Sequence, residues 1–233
     1  STWTGTMPCN LNLRDLADRA SEGVAAAGGV PLGFNTIAVS DNQSQATPGM
    51  RASLISREMI ADSMEIAVRG HAYDALVGLG GCDKTLPGTL MAMARLNVPS
   101  VFIYGGSMLP GYSPDGTENT VLTAIEGVGR YQTGAISLEQ LHGIERTCAM
   151  TVGSCPGQFT ANTMGMVAEA LGLSFLGSST TPAMPPTWLR TAPRRGSGST
   201  PTKPPRARVS RIARLAFAFA FCQPRPPSRS SCG

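Results

Sequence analysis

The 233-residue sequence contains no run of apolar residues long enough to cross a bilayer. A membrane-spanning helix needs about 20 consecutive apolar residues, and the apolar segment LAFAFAF, at residues 215–221, is far shorter. Nothing resembling a secretory signal peptide precedes the cysteines, so the six cysteines are not expected to form a disulfide framework. We therefore expect no membrane association and a cytoplasmic location, or an organellar one if the source is eukaryotic.

Acidic residues are missing from the last 50 residues. Up to Ala183 the chain has nine Lys and Arg and all fifteen Asp and Glu, whereas residues 184–233 carry ten basic residues and no acid. The formal charge of +4 is thus the average of two unlike parts. Nucleic-acid-binding proteins normally spread their basic residues over a folded surface. We therefore expect no specific nucleic-acid partner.

The composition of residues 184–233 also predicts a division of the chain. This segment holds nine of the 18 prolines, and such a composition cannot bury enough apolar surface to form a regular core. We predict a folded domain at residues 1–183 and a disordered basic tail at residues 184–233, with at most a marginal helix near residues 212–221. The tail also has the composition that GC-rich DNA yields when it is read out of frame, and a frameshift near Met184 is the interpretation that we favour.

Short apolar segments alternate with helix-like periodicity over the first 183 residues. Strands are predicted at residues 35–40, 74–79, 100–104 and 151–154, and helices at residues 53–68, 88–96, 137–146 and 158–171. Strands that alternate with helices in this way usually form a parallel sheet that is covered on both faces. The pattern therefore predicts an α/β fold, a three-layer sandwich with a mostly parallel sheet.

A thiol, a carboxylate and an amine stand side by side in GLGGCDKTLPG, residues 78–88. The segment is not a phosphate-binding loop, because that pattern requires glycine where Asp83 stands. No second cysteine follows Cys82 in a C-x-x-C arrangement, as it does in many redox-active pairs. Asp83 is a hard oxygen donor suited to Mg²⁺, whereas Cys82 is a soft donor suited to iron or zinc. The adjacent pair suggests two metal centres that lie close together.

Similar turns carry further candidate ligands. Cys155 lies in GSCPG, Cys9 lies in TMPCN, and Asp41 follows the predicted strand NTIAVS. Because the carboxyl ends of parallel strands gather at one edge of a sheet, three thiolates and two carboxylates could hold an iron–sulfur cluster beside Mg²⁺ there. For Cys148, in ERTCAMTV, we favour a small buried residue without a ligand role.

Five segments resemble the dihydroxy-acid dehydratase and phosphogluconate dehydratase family. They are TMPCNLNLRDLA, NTIAVSD, SLISREMIADSMEIA, GGCDKTLPGTLMAMARLNVPS and GSCPGQFTANTMGMVAEALGL. The resemblance covers residues 1–183, and C-D-K-x-x-P-G is its most specific element. The details look most like the dihydroxy-acid dehydratases of branched-chain amino-acid synthesis.

The resemblance implies cofactors and their ligands. In this family three cysteines bind a [2Fe-2S] or [4Fe-4S] cluster, and by motif they correspond to Cys9, Cys82 and Cys155. The ligands of the family's Mg²⁺ correspond to Asp41, Asp83 and Lys84. The lysine is carbamylated in the family, which turns an amine that repels a cation into a carboxylate-like ligand.

The resemblance also implies a reaction, the removal of water from a small 2,3-dihydroxy acid to give a 2-keto acid. An open iron position would assist loss of the 3-hydroxyl, Mg²⁺ would bind the carboxylate and the 2-hydroxyl, and a base would remove the proton at C2. A sugar-acid dehydratase is the alternative substrate class. A non-catalytic iron–sulfur-binding remnant is the alternative function.

The sequence departs from the family in two places. No segment after Ala183 resembles the family's C-terminal domain, which supplies a further Glu ligand and the serine proposed as the base. The catalytic base is therefore not assigned, and we expect a truncated chain with little turnover of its own and a family-like homodimer only in the complete protein. In the loop after Asp41, Pro48 stands where a Glu is commoner, and no further metal ligand is assigned to this loop.

Overall fold

The computed structural model describes residues 1–183, and the predicted tail at residues 184–233, with its predicted helix, lies outside the described residues. The elements are α1 (Leu13–Ala26), α2 (Asp41–Ser44), α3 (Met50–Gly70), β1 (Leu76–Gly80), α4 (Thr85–Leu96), β2 (Ser100–Tyr104), β3 (Gly111–Tyr112), β4 (Glu118–Asn119), α5 (Val121–Gln132), α6 (Leu138–Thr147) and α7 (Thr160–Ala170). A short 3-10 turn at Pro8–Asn10 precedes α1. None of these helices is both long enough and apolar enough to cross a membrane.

The central sheet is small and parallel. β1 pairs with β2 in parallel over all five residues of each strand. Just beyond β2, Ser107 forms single parallel bridges to Ser154 and to Pro182. β3 and β4 form a separate antiparallel hairpin. The prediction of an α/β fold with a parallel sheet is confirmed.

Helices cover both faces of the β1–β2 pair, because alternate strand residues point to opposite sides. Phe102 and Tyr104 pack on one side with a cluster from α4 and α7 that includes Leu86, Leu90, Met93, Ala161 and Ala168. Leu79 and Ile103 pack on the other side with Leu13 and Ala20 of α1. The sheet thus lies between two helical layers, as the sequence pattern predicts.

The long helix α3 forms an outer support for α4. Ile60 and Met64 of α3 pack with Ala92 of α4 in a buried cluster. At Gly88 the two helices approach so closely that a Cβ atom would lie 2.8 Å from the backbone oxygen of Arg57. This contact fixes α4, whose first turn follows the segment GLGGCDKT, against α3.

Two predicted strands are wrong or shortened. Residues 29–40 contain neither helix nor strand, although Thr36 donates one backbone hydrogen bond to the oxygen of Ser1 at 3.0 Å. A β-branched run needs a partner along its length to become a strand, and among residues 1–183 the backbone of this run pairs only with Ser1, whose amino group also donates to the oxygen of Phe34 at 2.8 Å. The predicted strand at residues 151–154 is reduced to the single bridge at Ser154.

Candidate metal centre

The turn between β1 and α4 is locked by one buried threonine. Thr85 is fully buried, and its Oγ1 accepts from the backbone N–H of Gly81 at 3.3 Å and of Cys82 at 2.9 Å. The same hydroxyl donates to the backbone oxygen of Cys82 at 3.0 Å. The turn that carries Cys82, Asp83 and Lys84 is therefore held by side-chain hydrogen bonds as well as by the start of α4.

Cys9 and Cys82 meet because Gly81 has no side chain. A Cβ atom at Gly81 would lie 2.3 Å from the backbone oxygen of Cys9. The two cysteines are buried in one cluster with Met7. The neighbouring Cys9 thiol, together with burial, raises the pKa of Cys82. In the metal-free chain the Cys82 thiol is therefore neutral.

The loop of Cys155 touches the loops of the other two cysteines. The Ser154 hydroxyl donates to the backbone oxygen of Gly81, and the N–H of Gly153 donates to the oxygen of Pro8 at 3.0 Å. Burial raises the pKa of Cys155 to about 11, and the nearby Cys82 contributes to the shift. The structure thus brings the three predicted cysteines to the same end of the sheet.

The predicted hard ligands form a compact group beside them. The ammonium nitrogen of Lys84 lies 2.5 Å from Oδ2 of Asp41 and 2.9 Å from Oδ2 of Asp83. The three side chains are only 14%, 16% and 24% exposed for Lys84, Asp41 and Asp83. Because water is largely excluded, these contacts are stronger than those of ordinary surface ion pairs.

Two hydroxyl groups that sequence reasoning missed hold the carboxylates. The buried Ser53 of α3 donates to Oδ1 of Asp41, and Thr160, the first residue of α7, lies near enough to Asp83 to lower the pKa of its carboxyl group. In the sequence, the only signal for Ser53 was its helical spacing from the apolar residues Ile60 and Met64, which places it on the same side of α3. The two carboxylates therefore take their orientation from helices that lie far apart in the sequence.

The ionisable groups shift one another's pKa values. Burial, followed by the hydrogen bond with Asp83, raises the pKa of Asp41. Burial alone would also raise the pKa of Asp83, but hydrogen bonds with Asp41, Thr160 and Lys84 lower it. Burial alone would lower the pKa of Lys84, but the two carboxylates raise it. Lys84 therefore stays protonated between two carboxyl groups whose pKa values are shifted in opposite directions.

The donor types are those that the two expected cofactors require. Three thiols are suitable ligands of an iron–sulfur cluster, and oxygen donors are the ligands that Mg²⁺ prefers. Within residues 1–183 no three His, Cys, Asp or Glu side chains are grouped closely enough to hold a metal ion as they stand. The Lys84 ammonium lies between the two carboxylates, and its single positive charge offsets part of their negative charge.

The environment of Cys148 differs from that of the other three cysteines. Cys148 follows α6, is half-buried and donates to the backbone oxygen of Glu145 at 3.4 Å. It does not belong to the buried cluster of Cys9 and Cys82. The expectation of a buried Cys148 is therefore wrong, and its lack of a ligand role stays a prediction.

An open cleft of about 410 Å³ lies between the loop that precedes Cys9 and the segment around Asp41. It is lined by Thr6, Ala38, Val39, Ser40, Gln43, Ser44 and Thr47. None of the candidate ligands lines this cleft.

Comparisons with known proteins agree with the geometry. A sequence profile described as dihydroxy-acid/6-phosphogluconate dehydratase N-terminal matches residues 1–210, which extends past the predicted boundary at Ala183. The chain is 57% identical over 196 residues to dihydroxy-acid dehydratase 2 of Bordetella bronchiseptica, covering 84% of this chain and 34% of the relative. It is 53% identical over 183 residues to the dihydroxy-acid dehydratase of Aeropyrum pernix, covering 78% of this chain and 33% of the relative. The chain spans about a third of the length of the curated relatives that it matches.

Replacing Lys84 tests the charge balance of the site. In the metal-free chain with unmodified lysine, Lys84→Met should lower the free energy of unfolding at neutral pH. We expect a loss of about 1–2 kcal/mol, the value of charge-assisted hydrogen bonds after allowance for solvent screening. Without the ammonium the two carboxylates repel each other, so a proton binds more readily. The loss should therefore shrink as the pH falls towards about 4, and urea denaturation at several pH values measures it.

The parent chain should lose the contribution of Asp83 to its stability at low pH. Because its pKa is lowered by folding, Asp83 stabilises the parent above the ordinary carboxyl pKa of about 4, and this contribution disappears as the pH falls through the lowered pKa. Arg95→Met is the matched control, since it breaks an exposed ion pair with Asp62 of 2.7 Å and should cost less than about 1 kcal/mol. A loss of unfolding free energy for Lys84→Met that equals the loss for the control, or that is the same at neutral pH and near pH 4, would contradict the proposed interaction of Lys84 with the two carboxylates.

Proposed function

Because the chain belongs to the dihydroxy-acid/6-phosphogluconate dehydratase family, we propose that it forms the N-terminal, cofactor-binding part of a dihydroxy-acid dehydratase. The observation that carries the proposal is the convergence of three cysteine loops beside Asp41, Asp83 and Lys84. The relatives reported above are named dihydroxy-acid dehydratases, which favours dihydroxy acids over sugar acids as the substrate class. The proposed product is a 2-keto acid of branched-chain amino-acid synthesis.

Cys9, Cys82 and Cys155 would hold the iron–sulfur cluster, and Asp41, Asp83 and a carbamylated Lys84 would hold Mg²⁺. When bound, the cluster supplies a Lewis-acidic iron that three cysteines leave open, and Mg²⁺ supplies positive charge for a carboxylate and a hydroxyl. Carbamylation would add CO₂ to the Lys84 amine after its ammonium has lost a proton to solvent, would release a second proton as the N–C bond forms, and would leave an anionic carbamate. The ion pairs to Asp41 and Asp83 would then be lost, and a divalent cation is needed to balance three neighbouring negative groups.

The residues of this chain organise the site in two ways. Ser53 and Thr160 fix the directions of the carboxylates, so the oxygens that bind the cation are oriented before it arrives. The low exposure of Lys84 and Asp41 excludes most of the water that would otherwise compete for the cation.

Cysteine replacements test the cluster ligands. We expect the 233-residue chain, after anaerobic reconstitution with iron and sulfide, to show visible absorbance of an iron–sulfur cluster. Cys9→Ser, Cys82→Ser and Cys155→Ser should each remove most of it, because each takes away a thiolate ligand. Cys148→Ser is the matched control and should retain it. Equal loss in the control, or full absorbance in any of the three, would contradict the assignment.

A chimera tests the reaction and its substrate class. Residues 1–183 would replace the matching part of the Bordetella bronchiseptica relative, so that the remaining two thirds of a full-length dehydratase is present. We expect this chimera to form 2-ketoisovalerate from 2,3-dihydroxyisovalerate, and the same chimera with Asp83→Asn to lose most of the turnover because a Mg²⁺ ligand is gone. A chimera that holds the cluster but dehydrates only sugar acids would favour the alternative substrate class.

A further inference from the structure

The side-chain amide of Asn162 has all of its hydrogen-bonding capacity occupied. Its Oδ1 accepts from the hydroxyl of Tyr104 and from the hydroxyl of Ser107 at 2.7 Å. Its Nδ2 donates to the backbone oxygen of Cys155 at 3.1 Å and to that of Gly157. An amide has two acceptor sites and two donor hydrogens, so none is left for other contacts.

These four bonds join the end of β2 to the loop that carries Cys155, a proposed ligand of the cluster. Tyr104 ends β2 and Ser107 follows it, whereas Cys155 and Gly157 belong to the loop before α7. The two hydroxyl donors fix the oxygen of the amide on the side of β2. The NH₂ group must therefore face the loop, since a flipped amide would set its oxygen against two backbone carbonyls.

The loop that carries Cys155 has almost no regular secondary structure to fix its backbone. Gly157 has a φ of +152°, and no helix or strand residue lies between Ser154 and Thr160 apart from the bridge at Ser154. The bond from Ser154 to the oxygen of Gly81 holds the loop on the side before Cys155. Asn162 holds it at Cys155 itself and on the side after it.

We propose that Asn162 is a positioning residue that sets the Cys155 thiol for cluster binding, by fixing the backbone carbonyls on both sides of Pro156. The inference rests on the proposed function, because it assigns Asn162 a role at the same cluster. It goes beyond the ligand set, since Asn162 does not bind the cluster but determines where its third cysteine stands. Tyr104 and Ser107 act through Asn162 by holding its amide in the required orientation.

Asn162→Asp separates this role from a general contribution to α7. Asn162 is the third residue of α7, a position at which an acidic residue favours the helix dipole. The aspartate keeps the shape and both acceptor positions, but it places an anionic oxygen against the carbonyls of Cys155 and Gly157. The helix should therefore remain, while the loop is released.

Thr163→Asp is the matched control. Thr163 is exposed and lies next to Asn162 on α7, so this variant adds the same charge at the same end of the same helix. In the parent, the hydroxyl of Thr163 accepts a long hydrogen bond of 3.3 Å from the side-chain amide of Gln158. The carboxylate of the variant can accept the same bond. Tyr104→Phe provides a second test, because it removes one donor to Asn162 and keeps the ring in the core.

The first measurement uses the reduced, metal-free 233-residue chain. The rate at which iodoacetamide alkylates Cys155, compared with Cys148 in the same molecule, is followed by peptide mass spectrometry. We expect Cys155 to react severalfold faster in Asn162→Asp, to react faster by a smaller factor in Tyr104→Phe, and to be unchanged in Thr163→Asp. The second measurement is the rate of iron loss to a chelator after reconstitution. It should rise about 10- to 100-fold in Asn162→Asp, the usual cost of losing an outer-shell partner of a metal ligand.

The outcomes separate this inference from the proposed function. If Asn162→Asp matches Thr163→Asp in both measurements, Asn162 does not position Cys155. If Asn162→Asp fails to fold, Tyr104→Phe decides, and an unchanged reactivity of Cys155 in that variant overturns the proposal. If the parent chain takes up no cluster, the proposed function fails, whereas the alkylation rates still decide whether Asn162 holds Cys155 in place.

Discussion

The candidate site depends on the close approach between the backbone of Cys9 and the backbone of Gly81. Any side chain at Gly81 would collide with the Cys9 carbonyl oxygen, 2.3 Å from the position of a Cβ atom. This contact brings the first cysteine loop onto the end of β1, where Cys82 follows directly. Ser154 then attaches the third cysteine loop to the oxygen of the same glycine. Three loops from distant parts of the sequence are thus assembled around one residue.

The same turn places a soft sulfur donor, Cys82, directly before a hard oxygen donor, Asp83. Cys82 is buried among Met7 and Cys9, while the next residue, Asp83, contacts the ammonium of Lys84. Thr85 fixes the turn that carries all three groups. Because these two donors stand on adjacent residues of one turn, their relative position is fixed. In the proposed enzyme this would keep the iron and the magnesium ion in a fixed relation to one substrate.

Much of the fold could be predicted from local periodicity. The segment SVFIY is β2 with the predicted bounds, and the helical spacing of residues 53–68 lies within α3. α5 was missed because its β-branched residues and two glycines lower helix propensity, and its capping box uses Thr123 where Glu or Gln is usual. α1 was also missed, although Leu13, Ala20 and Val24 are buried on one side of it. The strand predicted at residues 35–40 failed because strand formation depends on a partner that a local pattern cannot supply.

The ligand candidates could be found from the sequence because unusual residue types stand together in turns. Their supporting residues could not, since Ser53, Thr160 and Asn162 are ordinary polar residues of helices. Their roles arise only when α3 and α7 are packed against the ends of β1 and β2. A hydrogen bond such as that from Asn162 to the carbonyl of Cys155 joins residues only seven apart. The bond from Tyr104 to the same amide spans 58 residues.

If Cys82 binds a cluster and Asp83 binds a divalent cation, the two metals lie close together, and electron paramagnetic resonance measures this proximity. The reconstituted 233-residue chain would be reduced, and the signal of its cluster would be compared in the presence of Mg²⁺ and of paramagnetic Mn²⁺, which prefers the same oxygen ligands. We expect Mn²⁺ to broaden the signal and speed its relaxation while Mg²⁺ does not, and Asp83→Asn to keep the cluster signal but remove the effect of Mn²⁺. A cluster signal that bound Mn²⁺ leaves unchanged, or an effect that persists in Asp83→Asn, would show that the two sites are not adjacent.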